Sequence, residues 1–185
     1  MHAHEATRQL LGLYAKACDQ YPQHADYPAA IVNIREQTLY VFADRECIGK
    51  YPVSTSRFGA GEKENSYKTP RGVHCVAEKI GADAGFAEIF EARKRTYTAA
   101  EIESGTTGAL NDCITSRILW LTGLEEGLNK GVGVDTHGRY IYIHGTHQEG
   151  LIGQPVSAGC IRMKNQDVMD IFDCLEVSSL VVISE

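Results

Sequence analysis

No run in this 185-residue sequence approaches the ~18 apolar residues that a membrane span needs. No cluster of lysine and arginine stands out, and the formal net charge is −6. That balance argues against a surface for nucleic acid or anionic membrane. Six cysteines are present but none forms a CxxC pair, which weakens metal-site and thioredoxin-like readings. No Asp/Glu/His set has ligand spacing, so the expectation is no metal and no other cofactor. Internal repeats and low-complexity segments are missing too, which leaves a single globular unit rather than an array.

The first residues also lack a secretory pattern. Glu5, Arg8, Lys16 and Asp19 break up the apolar positions, and no positive segment precedes them. Cys47 and Cys75 lie in strand-like runs as ordinary small hydrophobes. Reduced thiols are therefore expected, which favours the cytoplasm. The alternative is a periplasmic protein whose signal has been removed.

The composition is ordinary for a soluble domain, with 43% hydrophobic and 23% charged residues. The length suits one domain with a sizeable core. Residues 4–20 place Leu10, Leu11, Leu13, Tyr14 and Ala17 on one helical face, and Tyr21-Pro22 ends that helix. From Ala29 the period changes to two. Strands are predicted over 30–35, 38–42, 47–54 and 72–79, with polar turns between the first three and a loop over 55–70. His74, inside the fourth run, reads as a structural histidine. Residues 86–92 fit either a strand or a helical turn, and 105–111 a loop. A strongly apolar strand follows over 113–121, with Arg117 among buried-looking neighbours. A buried arginine needs an acceptor, so Arg117 either contacts substrate or props up the site. Asn165 is read as the cap of a helix running through Val168, Ile171, Phe172 and Leu175, and 180–184 as a last strand. No βαβ alternation appears. The expected fold is mainly β, with an N-terminal helical segment (1–27) packed on a domain over 28–185.

The chemistry concentrates in residues 139–163, RYIYIHGTHQEGLIGQPVSAGCIRM. Tyr140-Ile141-Tyr142-Ile143 has strand composition, His144 stands at its end, and Gly145 lets the chain turn. Ser157-Ala158-Gly159 then presents Cys160. A cysteine nucleophile needs a base in reach and N–H groups aimed at the developing oxyanion, and a turn of small residues leaves such groups open. Arg162 nearby can lower a thiol pKa.

These residues resemble the YkuD-type L,D-transpeptidases of bacterial peptidoglycan. The likeness rests on Ile143-His144-Gly145-Thr146, on Ile152-Gly153-Gln154-Pro155, and on Ser157 through Met163. His144 and Cys160 lie 16 positions apart, as in that family. Thr69-Pro70-Arg71-Gly72, the run 114–121 and Val134-Asp135-Thr136 extend the likeness to roughly residues 28–185. One departure stands out: Ala158 occupies a position where the family usually has histidine.

The resemblance implies a β-sandwich or a closed, barrel-like mixed sheet, with a second helix after the cysteine. It implies Cys160 as nucleophile, His144 as base, and the Gly145 carbonyl as the group that orients the imidazole. The N–H groups of Ala158, Gly159 and Cys160 would form the oxyanion hole. Candidate substrate-binding residues are Arg162, Ser157, Thr146, Arg117 and Tyr142. Arg162 suits a forked pair with a carboxylate. The implied partners are peptidoglycan tetrapeptide stems or muropeptides, with carbapenem-type β-lactams as covalent inhibitors. The implied reaction cleaves the diaminopimelate–D-alanine bond through a thioester. Water as acceptor makes an L,D-carboxypeptidase of peptidoglycan recycling; an amine makes a transpeptidase or an exchange enzyme. A non-catalytic binder of peptidoglycan fragments is the alternative from another class.

Overall fold

Alternation within single strands builds two cores at once. In β1 (Ala29–Asn33), Ala30 and Val32 enter one hydrophobic cluster while Ala29 and Ile31 enter another. Such two-sided burial is expected of a strand in mid-sheet with both faces covered. The computed structural model describes residues 2–106 and 112–185, with side chains described from residue 8 onward. One face is covered by α1 (His2–Gln20), whose Leu10, Tyr14 and Ala17 fall on one stripe; Tyr14 stacks on Phe42 at 5.5 Å.

The other strands are β2 (Thr38–Ala43), β3 (Glu46–Pro52), β4 (Gly72–Ile80), β5 (Glu88–Glu91), β6 (Lys94–Ala99), β7 (Ile114–Gly123), β8 (Tyr142–Thr146) and β9 (Ile161–Met163). Helix α2 (Asn165–Cys174) and β10 (Leu180–Ser184) close the order. The strands form one sheet in the order β3-β2-β1-β10-β4-β7-β5-β6, and β8 pairs with both β7 and β9. The β1–β10 and β8–β9 pairs are parallel and the rest antiparallel, so the sheet is mixed. The named strands leave it open. The chain leaving β3 nevertheless returns to β9: Ser54 and Arg162 exchange two backbone hydrogen bonds of 2.9 Å. Helix α2 packs Val168, Ile171 and Phe172 into the cluster between these parts and lies on β7 and β8. Among the described residues, no helix is long and apolar enough to cross a membrane.

The architecture is mainly β, with the two expected helices. Several local readings are corrected. The strand expected from Tyr140 begins at Tyr142, because Tyr140 holds φ +56°, outside the extended region. It runs on through His144 and Gly145 to Thr146, held between β7 and β9. Gly145 is therefore not a turn. Its role is close approach: a Cβ there would lie 2.6 Å from the Thr115 carbonyl oxygen. Residues 86–92 contain β5, and it forms a hairpin with β6, which has no counterpart in the sequence reading. The turn is Ala92-Arg93, both at positive φ (47° and 68°), as a type I′ hairpin turn requires. Asn165 is the first helical residue, not the cap; Lys164 stands at the cap position. Of the loop expected over 105–111, residues 107–111 lie outside the described residues.

Candidate active site

The centre of the site is β8, flanked on both sides by paired strands. His144 is buried there, 2% exposed, and sits opposite Ile118 of β7 and Arg162 of β9. Strand β7 bulges at Ser116-Arg117, next to the Thr115–Gly145 and Ile118–His144 pairs, and bulges often re-aim groups at such places. The His144 ring Nδ1 lies 2.8 Å from the Gly145 carbonyl oxygen. A carbonyl only accepts, so Nδ1 carries the proton and Nε2 is left as a free base. This is the orienting contact expected of Gly145.

Nε2 faces Asp112, with Oδ2 3.7 Å away. Asp112 was not a candidate in the sequence, yet it joins much of the site. Arg162 Nε donates to Asp112 Oδ2 at 2.8 Å, and the Thr146 hydroxyl donates to Asp112 Oδ1. His147 Nδ1 lies 4.0 Å from the same carboxylate and accepts the Cys113 N–H at 3.1 Å. The carboxylate partner expected for Arg162 thus comes from the chain itself. Arg162 is buried, and its Nη1 has no partner among the described residues.

Asn165 fixes this cluster to the bulge. Its Oδ1 accepts from the Thr115 and Ser116 hydroxyls at 2.7 Å each, and its Nδ2 donates to the Thr146 carbonyl at 2.9 Å. Burial pushes the His144 pKa down; Asp112 and the Gly145 bond oppose that shift, and Arg162 adds to it. The imidazole is therefore neutral at neutral pH.

The turn over 157–160 is built by side-chain hydrogen bonds. The Ser157 hydroxyl donates to the Cys160 carbonyl at 2.6 Å and accepts the Gly159 N–H at 3.2 Å. The Thr69 hydroxyl donates to the Gly159 carbonyl at 2.9 Å and accepts the Ser56 N–H, which gives the Thr69–Gly72 segment a role. Gly159 has φ +125°, which side-chain-bearing residues rarely adopt. Its N–H is already used. Of the three expected oxyanion donors, the N–H groups of Ala158 and Cys160 remain without a partner among the described residues. The Ala158 side chain is exposed and lines a cavity of about 190 Å³ together with Glu64, Tyr67, Arg139 and Tyr140.

Cys160 precedes β9 and packs against the cluster of Phe90, Ile118, Trp120 and Tyr142. Burial pushes its thiol up to about 11, against the downward pull of the Tyr142 N–H, Arg162 and Arg139. The sulfur accepts the Tyr142 N–H and donates to the Tyr140 carbonyl, each at 3.4 Å. No hydrogen bond joins it to His144 among the described residues. The two share one side of the parallel ladder: Tyr142, which meets the sulfur, lies two positions before His144 on β8.

The remaining candidates serve the scaffold in this arrangement. Arg117 is buried and donates through Nη1 to the carbonyls of Ala84 and Ser116, at 2.7 and 2.8 Å, so it props up the bulge. Ser157 and Thr146 spend their hydroxyls on the turn and on Asp112. Tyr142 backs the thiol, and its hydroxyl accepts from Arg93 Nη1 at 3.1 Å. His74 bonds Gly72 and Thr136, as a structural histidine does.

A family model described as the L,D-transpeptidase catalytic domain, YkuD, matches residues 28–183. The chain belongs to the YkuD family. YqjB of Bacillus subtilis (strain 168), a provisionally named L,D-transpeptidase, is 30% identical over 158 residues, covering 85% of this chain and 72% of its own. Among solved structures, an L,D-transpeptidase from Mycobacterium smegmatis superposes with a TM-score of 0.53 at 15% identity, over 86% of this chain and 59% of that one. L,D-transpeptidase 3 from Mycobacterium tuberculosis, in complex with a faropenem-derived adduct, gives 0.51 at 18% identity, over 85% and 60%. This chain therefore spans about three fifths of those two proteins. At such identities they establish the fold alone.

Proposed function

We propose that this YkuD domain is a cysteine acyl-enzyme that cleaves the diaminopimelate–D-alanine bond of peptidoglycan tetrapeptide stems, acting as an L,D-carboxypeptidase of peptidoglycan recycling. The observation that carries it is the Nδ1–Gly145 clamp, which leaves a neutral His144 Nε2 as base on the strand beside Cys160. Attack requires the Cys160 side chain to leave the Tyr140 carbonyl and turn its sulfur toward His144. Nε2 takes the thiol proton and the thiolate attacks the carbonyl carbon. The N–H groups of Ala158 and Cys160 hold the oxyanion. The imidazolium, with Asp112 beside it, returns the proton to the leaving amine, and D-alanine departs. A thioester remains. His144 then deprotonates water, which attacks the thioester and releases the tripeptide stem.

Water as acceptor goes with a cytoplasmic location, where soluble fragments are the substrates. Six free cysteines support that location, since a reducing compartment preserves them. The second reading is a periplasmic transpeptidase that forms 3-3 cross-links or exchanges D-amino acids, and the family name favours it. The acyl-enzyme step is common to both. By analogy with the faropenem-derived adduct of the mycobacterial relative, β-lactams of the penem and carbapenem type acylate Cys160.

The test is product analysis on tetrapeptide stems, with and without a D-amino acid or a second stem. Tripeptide plus free D-alanine is expected. Exchanged or dimeric products at comparable rates would replace hydrolysis by transpeptidation. A protein that binds stems but shows no mass increase with a carbapenem would be the non-catalytic binder, a reading that the Ala158 departure keeps in view.

A further inference from the structure

The β5–β6 hairpin carries a cation to the far end of Tyr142, the residue whose backbone N–H meets the thiol. Its turn residue Arg93 is half-buried, with the guanidinium over the Trp120 ring at 4.8 Å and over the Tyr140 ring at 5.2 Å. Trp120 is itself wedged in place. It stacks on His137 at 4.0 Å and meets the edge of Tyr142 at 5.4 Å. Tyr142 links the two ends: its hydroxyl accepts from Arg93 Nη1, while its backbone N–H donates to Cys160 Sγ.

Arg93 makes no ion pair among the described residues, and Tyr142 is the one hydrogen-bond partner its guanidinium has there. The nearby carboxylate of Glu78 is occupied by His137 at 3.3 Å. Four of the five N–H donors of this fork are thus open, on a rigid aromatic floor that shares Tyr142 with the nucleophile. The two rings and the Tyr142 hydroxyl hold the guanidinium in place, so less freedom is lost when it pairs with an anion.

We propose that Arg93, on its Trp120–Tyr140–Tyr142 platform, is a carboxylate-binding subsite that takes the free terminal carboxylate of the acyl-donor peptide. This rests on the stem-peptide reading above. It serves either acceptor, because a tetrapeptide donor ends in free D-alanine in both.

The experiment compares a tetrapeptide stem ending in D-alanine with the same stem ending in D-alaninamide, by kcat/KM for release of the last residue. The wild-type protein is expected to favour the acid about 10- to 100-fold, the usual range for a charge-assisted pair. Arg93→Gln should collapse the acid-to-amide ratio toward one through KM, and Arg93→Lys should restore part of it. A wild-type ratio near one, or an Arg93→Gln variant that loses both substrates equally, overturns the assignment in favour of a hairpin clamp. If the wild-type protein releases nothing from either stem, the substrate reading fails by itself. Arg93 is then read from alkylation of Cys160 by iodoacetamide. Protection by N-acetyl-D-alanine but not by its amide, lost in Arg93→Gln, sustains the subsite; no difference between acid and amide ends it.

Discussion

Two histidines lie buried on strands of the same sheet, and they differ in what is left over. His74 on β4 has both ring nitrogens placed: Nδ1 lies 3.1 Å from the Gly72 carbonyl and Nε2 3.1 Å from the Thr136 hydroxyl. His144 on β8 has one nitrogen tied to Gly145 and the other facing Asp112 at 3.7 Å, beyond hydrogen-bond reach. Burial pushes both pKa values down. Burial therefore does not separate the packing residue from the proposed base. The open lone pair does, along with a carboxylate that can receive a positive charge.

The strongest way to break this comparison is to exchange the losses. His144→Ala should lower D-alanine release by about 10²–10⁴-fold, the usual worth of general acid–base catalysis. His74→Ala should leave turnover within a few-fold but cost about 1–3 kcal/mol of stability, since it opens a hole and strands Thr136. Cys160→Ala should abolish release at an almost unchanged thermal midpoint. Initial rates and denaturation midpoints on the same preparations decide it. A His144→Ala variant with normal rates would remove the base assignment.

Next in size is Asp112. Asp112→Asn leaves the buried Arg162 guanidinium with no anionic partner, and breaking a buried pair costs about 3–5 kcal/mol. The same change withdraws the charge that opposes the fall of the His144 pKa. Urea denaturation should show the loss. Asp112→Asn combined with Arg162→Met should recover much of it, because both members of the pair are then gone. Failure of the double variant to recover would mean that Asp112 acts chiefly through Thr146 and the strand end.

The sequence allowed much of this to be read and hid a definite part. Cys160 and His144, the proposed nucleophile and base, were legible because the turn and the strand that carry them are both local patterns. Asp112 was not, since its meaning depends on β7 lying against β8, a contact between segments far apart in the chain. One signal could have found it. The rule that a buried arginine needs an acceptor was applied to Arg117, whose Nη1 finds the carbonyls of Ala84 and Ser116. Applied to Arg162, it would have called for an acid in the chain. Strand β6 escaped for the opposite reason. Lys94–Ala99 is an edge strand, partly or fully exposed along its length, so no burial imposes an apolar alternation on it. Its Ala92-Arg93 turn also lacks the Asn-Gly or Asp-Gly signal. Tyr140 had strand composition but sits at positive φ, where composition says nothing.

A smaller effect sharpens the pairing of the two histidines through pH. The His74 pKa falls from 6.5 to about 4, chiefly by burial. A depressed histidine binds its proton more readily in the unfolded chain. Its contribution to stability is present above pH 6.5 and is lost as the pH falls from there toward about 4. His144 shifts in the same direction. His74→Gln should flatten the fall in stability over that window and His144→Gln the fall that begins below pH 6.5, but the first should leave the pH–rate profile alone. If His74→Gln moved the acid limb of the rate, the two sites would be coupled and the contrast between them would fail.

The smallest expected effect concerns Ala158, where the chain departs from the histidine usual in its family. The proposed oxyanion donors there are the backbone N–H groups of Ala158 and Cys160. The turn that aims them is held by Ser157, by Thr69 and by the backbone of Gly159. None of these bonds involves the side chain at 158, which points to solvent and the adjoining cavity. Ala158→His therefore keeps the donors where they are. It should change kcat by less than about tenfold, well short of the ~10²–10³ that follows removal of an oxyanion donor. KM is the parameter free to move, because the imidazole would enter a cavity already lined by Tyr67 and Arg139. Steady-state kinetics on one tetrapeptide stem separates the two. A rise in kcat of a hundredfold or more would mean that the turn with alanine is impaired, and that the missing histidine acts through its side chain.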